Sequence, residues 1–451
     1  MNSPERQGLD PPIGLCQFQA ISETGLQKVT FVKMRFLAVC TALAAATALT
    51  GCSQLAGSAG GAQKVTLWLM KGSASEDFIA KFTTSFEKEH PGVDLDVKIQ
   101  EWTGIGEKVN AVLAGKSGES ADVIEVGNTQ VAQYIETGGL SELTLEGLRE
   151  WGSKDWLKGL SDPASIDGAQ YGVPWYAANR VVIYNKDLFA NAGIKTPPRN
   201  RQEWIQATQK LDKGDRQGIY LPGQNWYVLS GFIWDEGGEL AVETGGEWVG
   251  TLDDDKALAG MEFYKQLQAL GDGPKDADEE TPPQSEVFAR GEVAQIIAPP
   301  GQAAAIEAAN PALKGKLGFF PVPGKTSDKP GAVFTGGSDL IIPERTKHRR
   351  QAVDVITALV SETWQTELAR TMSYVPNKAT LAHVVDGNEG AASMAPGAAQ
   401  GRATPKSARW AEVEGKNPIK PYMTAVLTGQ DTKQAAKAAS DTISKVLSSD
   451  R

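Results

Sequence analysis

The chain has 451 residues, 41% of them hydrophobic and 22% charged, with a formal net charge of −10. That length allows two or three packed domains of ordinary globular composition. The acidic balance excludes nucleic acid as a partner, because no basic run is dense enough to track phosphates; Lys347 with Arg349 and Arg350 reads as a solvated helix start.

In chain order, Lys33-Met34-Arg35 precede an apolar run from Phe36 to Leu49 that closes on Leu49-Thr50-Gly51-Cys52. A charged start, a short apolar stretch and small residues at the cut predict a secretory signal peptide over 1–51. The run is too short to cross a bilayer, which takes ~20 apolar residues. Leu-Thr-Gly-Cys is similar to the bacterial lipobox, so Cys52 is expected to be the lipidated first residue of the mature chain. Residues 52–63 are then that cysteine and a Gly/Ser-rich flexible tether. Residues 1–33 are polar and unpatterned, which points to Met34 as the true start. Of Cys16, Cys40 and Cys52 only the last would survive processing, so neither a disulfide framework nor a cysteine metal site is available. His90, His348 and His383 are too few and too scattered for a metal cluster, and no cofactor is expected.

From Val65 the pattern alternates between strand and helix. VTLWLM (65–70) reads as a buried strand, and Ser73 or Ser75 can cap a helix in which Phe78, Phe82 and Phe86 share one face. Pro91-Gly92 ends that helix, VDLDVKI (93–99) alternates as a strand, and a helix over 104–115 leads to the strand ADVIEV (121–126). Such repetition predicts an α/β fold with a mostly parallel sheet and a ligand beyond the carboxyl ends of the strands. The stretch 185–310 is more helical. SDLIIP predicts a strand, 348–370 one long helix, 389–403 an Ala/Gly-rich loop, and the end from Pro405 helix again.

GFFPVPGKT (318–326) fails as a phosphate loop, having five residues between its glycines and two prolines without N–H groups. Glu101, Glu125, Asp235 and Asp339 fall at strand ends or beside glycines, where two carboxylates could cleave a glycoside; a secreted glycosidase is the alternative reading. The eleven tryptophans are more telling. Several of Trp102, Trp175-Tyr176, Trp226-Tyr227, Trp234 and Trp410 read as loop positions beside glycines and amides, a setting that suits the apolar faces and hydroxyl rim of a pyranose. Trp204 and Trp364, at helical spacing, are expected in the core.

DVIEVGNTQVAQYIETGGL (122–140), YGVPWYAANRVVIYNKDLF (171–189), FARGEVAQIIAPPG (288–301) and VFTGGSDLIIP (333–343), followed by MSYVP (372–376), carry a resemblance. Over essentially all of 64–451 the chain resembles the extracellular solute-binding proteins of sugar ABC importers, in their maltose-binding-like group. FTTSFEKEHPGVDLDVKIQEWTGIGEKV, NWYVLSGFIWDEGG and GKLGFFPVPGK are most similar to the members that bind N,N′-diacetylchitobiose.

The resemblance implies a periplasmic-binding-protein-like fold: two α/β lobes, hinge crossovers and a ligand cleft between them. Lobe 1 would use 65–177 plus 339–373, and lobe 2 would use 178–336 plus 374–451. It implies a monomeric binding protein rather than an enzyme, lipid-anchored at the extracellular face of the cell membrane. Its partners would be a neutral oligosaccharide, an amino-sugar disaccharide above all, and ABC permease subunits. The implied ligand-binding residues are Lys71 after the first strand, Trp102, and Asn128-Thr129 after ADVIEV. Tyr176, Asn179 and Arg180 would lie at the first crossover, with Trp226 as stacking ring and Trp234 as wall. Gly301, then Ser338 and Asp339 beyond the hinge glycines 336 and 337, and Trp410 complete the set.

Overall fold

Residues 62–102 and 104–448 are described by the computed structural model, and all fall within one contact unit, 60–451. The signal peptide, Cys52 and the tether through residue 61 lie outside the described residues. The strands that matter for the site are β1 (Gln63–Met70), β2 (Val93–Gln100), β3 (Val123–Gly127), β4 (Gly172–Ala177), β5 (Val181–Asn185), β6 (Gln295–Ala298), β7 (Leu317–Phe320), β8 (Gly337–Ile341) and β9 (Val375–Pro376). They form a six-stranded sheet ordered β9-β4-β8-β3-β1-β2 and a three-stranded sheet ordered β6-β5-β7.

The phenylalanine stripe forms as its spacing predicts. Ser75 caps the helix Glu76–Glu89 by accepting from the Phe78 N–H at 3.1 Å, and Phe78, Phe82 and Phe86 are its buried face. Trp364 meets the Phe78 and Phe82 rings edge-on at 5.4 and 5.0 Å. Each such ring buried contributes roughly 1.5–3 kcal/mol to packing. The helix therefore fastens onto the sheet and holds β1 in place up to the edge where Lys71 begins.

The expected parallel sheet is only half right. β1 pairs in parallel with β2 and with β3, but β8 runs antiparallel to both β3 and β4, and β9 antiparallel to β4. The small sheet is antiparallel throughout. The cause is connectivity: the chain leaves the large sheet after Ala177, builds the small sheet, and re-enters from the far side at Gly337. It crosses out once more at β9. The carboxyl ends of β1, β2, β3 and β4 and the start of β8 thus share one edge, with Met70 opposite Gln100 and Ser338 between Gly127 and Tyr176.

Three local expectations are corrected. The aromatic stretch 223–238 is a helix, Trp226–Asp235, capped by Asn225 and buried along most of its length. Gly231 lets it approach Ala332, whose carbonyl would stand 2.6 Å from an added Cβ. The long helix over 348–370 is two, Arg349–Leu359 and Glu362–Met372, because Ser361 caps the second by accepting from the Trp364 N–H at 3.4 Å. The Ala/Gly-rich loop at 389–403 is mostly helix, Glu389–Ala399, started by Asn388 and carried by alanine's high propensity. Trp204 is fully buried, as expected, and its Nε1 donates to Gln295 at 2.8 Å.

Candidate functional site

At the strand-end edge of the large sheet, Lys71 follows β1 and pairs with Glu101 at 2.8 Å. Trp102 donates its Nε1 to the Lys71 carbonyl at 3.2 Å while its ring stays 43% exposed, an indole face held out by a fixed backbone bond. Behind it lies a buried polar knot. Glu125 accepts from the Met70 N–H at 2.7 Å, from Ser338 Oγ at 2.6 Å and from the Tyr176 hydroxyl at 3.1 Å. The Tyr176 hydroxyl also reaches Ser73 Oγ at 3.0 Å, and its ring stacks on Tyr374 with centroids 4.0 Å apart. Tyr374 in turn donates to the Gly72 carbonyl at 3.1 Å. Burial lifts the Glu125 carboxyl to about 7, against the pull of its donors, and lifts the Tyr176 hydroxyl as well.

A second cluster grows from the helix Trp226–Asp235. Trp226 is buried, its ring covered by Tyr227 at 4.3 Å and by Phe334 at 5.5 Å. Trp234, also buried, stacks on Phe334 at 6.1 Å. Tyr227 is half-buried, and the Arg180 guanidinium lies over its ring at 4.1 Å while pairing with Glu279 at 2.7 Å. Desolvation pushes the Tyr227 hydroxyl up, Arg180 opposing. The clusters meet where Thr129 Oγ1 donates to Glu414 Oε2 at 3.1 Å, and Trp410, fully buried, donates to Glu414 Oε1 at 3.0 Å. Burial raises the Glu414 carboxyl to about 7.

Lys71, Trp102, Thr129, Tyr176, Arg180 and Ser338 are therefore tied into these two clusters. The others stand differently. Asn128 is buried and spends its Nδ2 on the Gly159 and Thr335 carbonyls, both at 3.0 Å. Asn179 is buried and donates to the Met394 carbonyl at 3.3 Å. Gly301 is exposed on a groove of about 650 Å³, beside Phe319 and Ser373, that none of the other candidates lines. Asp339 is fully buried beside Gly172, and both its carboxylate oxygens lack a hydrogen-bond partner; burial holds its carboxyl well above the usual range. Trp226, Trp234 and Trp410 have their faces against protein. Phe334, Tyr374, Glu279 and Glu414 were not among the expected site residues, and Tyr227 entered only as the neighbour of Trp226. Glu414 had a signal, since it stands one helical turn after Trp410, where side chains meet.

The four carboxylates weighed for hydrolysis are each otherwise engaged. Glu101 pairs with Lys71, Asp235 with Arg201 at 3.0 Å, Glu125 is held by three donors, and Asp339 is enclosed. Among the described residues no two of them share a partner. An exposed indole at Trp102, a cation-covered ring at Tyr227 and the hydroxyl and carboxylate of Thr129 and Glu414 have the chemistry of binding a polar ring compound rather than of cleaving it.

Comparison with known proteins bears on the same point. A family model described as bacterial extracellular solute-binding protein matches residues 69–366. The diacetylchitobiose binding protein DasA of Streptomyces coelicolor is 40% identical over 388 residues, covering 85% of this chain and 90% of that protein. The maltodextrin-binding protein MdxE of Bacillus subtilis is 23% identical, over 67% of this chain and 70% of its own length. Among solved structures, the sugar-binding protein MalE of Xanthomonas citri superposes with a TM-score of 0.76 at 22% identity, covering 85% of this chain and 97% of that one. The GacH receptor of Streptomyces glaucescens gives 0.72 at 24% identity, over 86% and 100%. These two share the α/β fold of periplasmic sugar-binding proteins. The chain belongs to the bacterial extracellular solute-binding proteins.

Proposed function

We propose that this protein is the substrate-binding component of a carbohydrate ABC importer, capturing N,N′-diacetylchitobiose or a related amino-sugar oligosaccharide and delivering it to a membrane permease. The observation that carries the reading is the 40% identity, over 85% of the chain, to a protein named for binding diacetylchitobiose. The site's chemistry supports it. Trp102 offers an open stacking face, Arg180 over Tyr227 a guanidinium donor, and Thr129 and Glu414 a hydroxyl and carboxylate whose mutual bond an acetamido group would replace.

In this reading 65–177 with 339–373 form one lobe and 178–336 with 374–451 the other. Ligand contacts to both lobes shift the hinge toward closure. The proposed contacts are Lys71, Trp102, Thr129 and Arg180, joined by Tyr227 and Glu414, while Tyr176 and Ser338 hold Glu125 in the buried knot. The protein acts as a monomer, secreted under the 1–51 signal and anchored through acylated Cys52. Among the described residues no helix is long and apolar enough to cross a membrane, so attachment falls to that lipid.

Calorimetric titration with N,N′-diacetylchitobiose, N-acetylglucosamine, cellobiose, maltose and trehalose tests the proposal. The expected result is saturable one-to-one binding, tightest for diacetylchitobiose, with the sugar recovered intact. Preference for maltose or cellobiose would remove the amino-sugar assignment. Turnover of the sugar, or no saturable binding at all, would remove the receptor.

A further inference from the structure

The basic residues set aside in the sequence gather at one end of the large sheet. The loop after β8 reads ERTKHRR (344–350), four cations against one acid in a chain that is −10 overall. Arg345, Lys347, Arg349 and Arg350 are exposed there, as are Lys64 at the start of β1 and Lys116 after the helix Ile105–Leu113. Several nearby acids are hydrogen-bonded or paired from within, Glu344 accepting from Ser141 Oγ at 2.8 Å. Asp122 accepts from the Thr66 N–H at 2.8 Å and from Thr346 Oγ1, and lies 3.3 Å from His348 Nδ1; Glu119 pairs with Lys108 at 3.0 Å. Arg349 pairs with Glu146 at 2.8 Å and Lys64 with Asp96 at 3.1 Å. Among the described residues no carboxylate lies within ion-pair distance of Arg345, Lys347, Arg350 or Lys116. The local field is therefore positive on an acidic protein.

This end also holds a concavity. Lys64, Ser117, Ser120, Arg345, Lys347 and His348 line a cavity of about 420 Å³ together with Glu119 and Asp122, the two acids already engaged from within, so its open groups are cations and hydroxyl donors suited to a phosphate ester. Its position in the chain completes the argument. Gln351 Nε2 donates to Gln63 Oε1 at 2.8 Å, so the basic loop is fastened to the first strand where the tether from Cys52 arrives. The residues between Cys52 and Gln63 reach at most roughly 40 Å when fully extended.

We propose that this end seats on the anionic phospholipid surface of the membrane to which the chain is tethered, with the Arg345–Lys347 cavity taking a phosphate headgroup. The proposal rests on the lipid-anchor reading for its geometry. Lys64 and Lys71 stand at opposite ends of β1, roughly 23 Å apart at the usual strand rise. Seating the Lys64 end turns Lys71, Trp102 and the rest of the candidate site away from the bilayer, toward arriving solute. Delivery to a permease then requires the body to leave the headgroups and turn over on its tether. Each cation near such a surface contributes roughly a fivefold factor in binding at physiological salt, an attraction that falls off within a Debye length and is reversible.

The test uses the full chain, processed in a secreting bacterial host and reconstituted into vesicles of phosphatidylcholine with or without about 30% phosphatidylglycerol. Amide exchange is followed over 112–121 and 343–351. The expectation is exchange on the order of tenfold slower in the anionic vesicles, reversed by about 0.5 M salt. The protection is expected to be lost in Arg345→Glu/Lys347→Glu/Arg350→Glu and, in a second variant, Lys64→Glu/Lys116→Glu, with sugar binding and melting temperature kept. Equal exchange in both compositions overturns the proposal, as does the same protection from free glycerol phosphate without vesicles, which would assign a soluble phosphate site. If the protein fails to float with neutral vesicles, the lipid anchor is what fails. Flotation with anionic vesicles that depends on these cations then still supports the seat, and its absence overturns it.

Discussion

Thr129 and Glu414, 285 residues apart, are joined by a hydrogen bond of 3.1 Å from the Thr129 hydroxyl to a carboxylate whose other oxygen is held by Trp410. The contact links the carboxyl edge of β3 to the helix Trp410–Lys416 without any ligand between them. Thr129→Ala is expected to shift diacetylchitobiose affinity by no more than about tenfold while speeding release of the sugar, because one bond of roughly 1 kcal/mol is lost. Stopped-flow dissociation checks it; an unchanged off-rate would mean that the contact is idle in the bound form.

Trp102 and Trp226 should behave oppositely. Trp102→Ala removes an exposed ring, so stability should stay within ~0.5 kcal/mol while affinity falls about tenfold. The sequence favoured Trp226 as the stacking residue, but its burial against Tyr227 and Phe334 means that Trp226→Ala should cost about 3–5 kcal/mol in stability. Denaturant unfolding and titration of both variants separate the two roles.

Glu125 and Glu414, along with the enclosed Asp339, shape the pH dependence of stability. Burial raises both glutamates from 4.5 to about 7. A carboxyl raised in the folded state contributes fully below its unfolded value and loses that contribution as pH rises through the folded one. Urea unfolding should therefore show stability falling between about pH 4.5 and pH 7, by about 3 kcal/mol for Glu125. Glu414→Gln should flatten part of that slope, and an unchanged slope would count against the environment described.

Arg180 and Glu279 form a largely buried pair, with side chains 14% and 10% exposed. Glu279→Gln strands the guanidinium over Tyr227 and should cost about 3 kcal/mol, more than the double change Arg180→Met/Glu279→Gln. A double-mutant cycle measures the coupling. If Arg180 also meets the sugar, Glu279→Gln should alter affinity beyond what the loss of stability predicts.

Much of the large sheet was legible because its signals are local. The Phe78, Phe82 and Phe86 spacing, the Ser75 cap and the alternation over 93–99 each act within one turn or one strand. The direction of β8 was not, since it depends on where the chain goes between Ala177 and Gly337. The helix at 226–235 is hidden because its flanking glycines and amides read as loop, although Asn225 caps it. Asp339 shows the limit at the site: strand pattern put it in β8, but only the neighbouring strands show that both faces there are covered. Glu414 lay in plain view beside Trp410, yet its tie to Thr129 exists only in three dimensions.

The chain passes between its two sheets at the ends of β4, β8 and β9, three strands bonded side by side. Gly337 lies so close to the Tyr176 carbonyl that an added Cβ would stand 2.1 Å from it, so no side chain can wedge the passages apart. Three such links cannot slide independently without breaking a shared ladder, whereas a common swing asks only for backbone torsion. On the proposed two-lobe reading, these links leave a single angular coordinate to open and shut, and the lifetime of the cargo should follow one barrier, giving single-exponential escape.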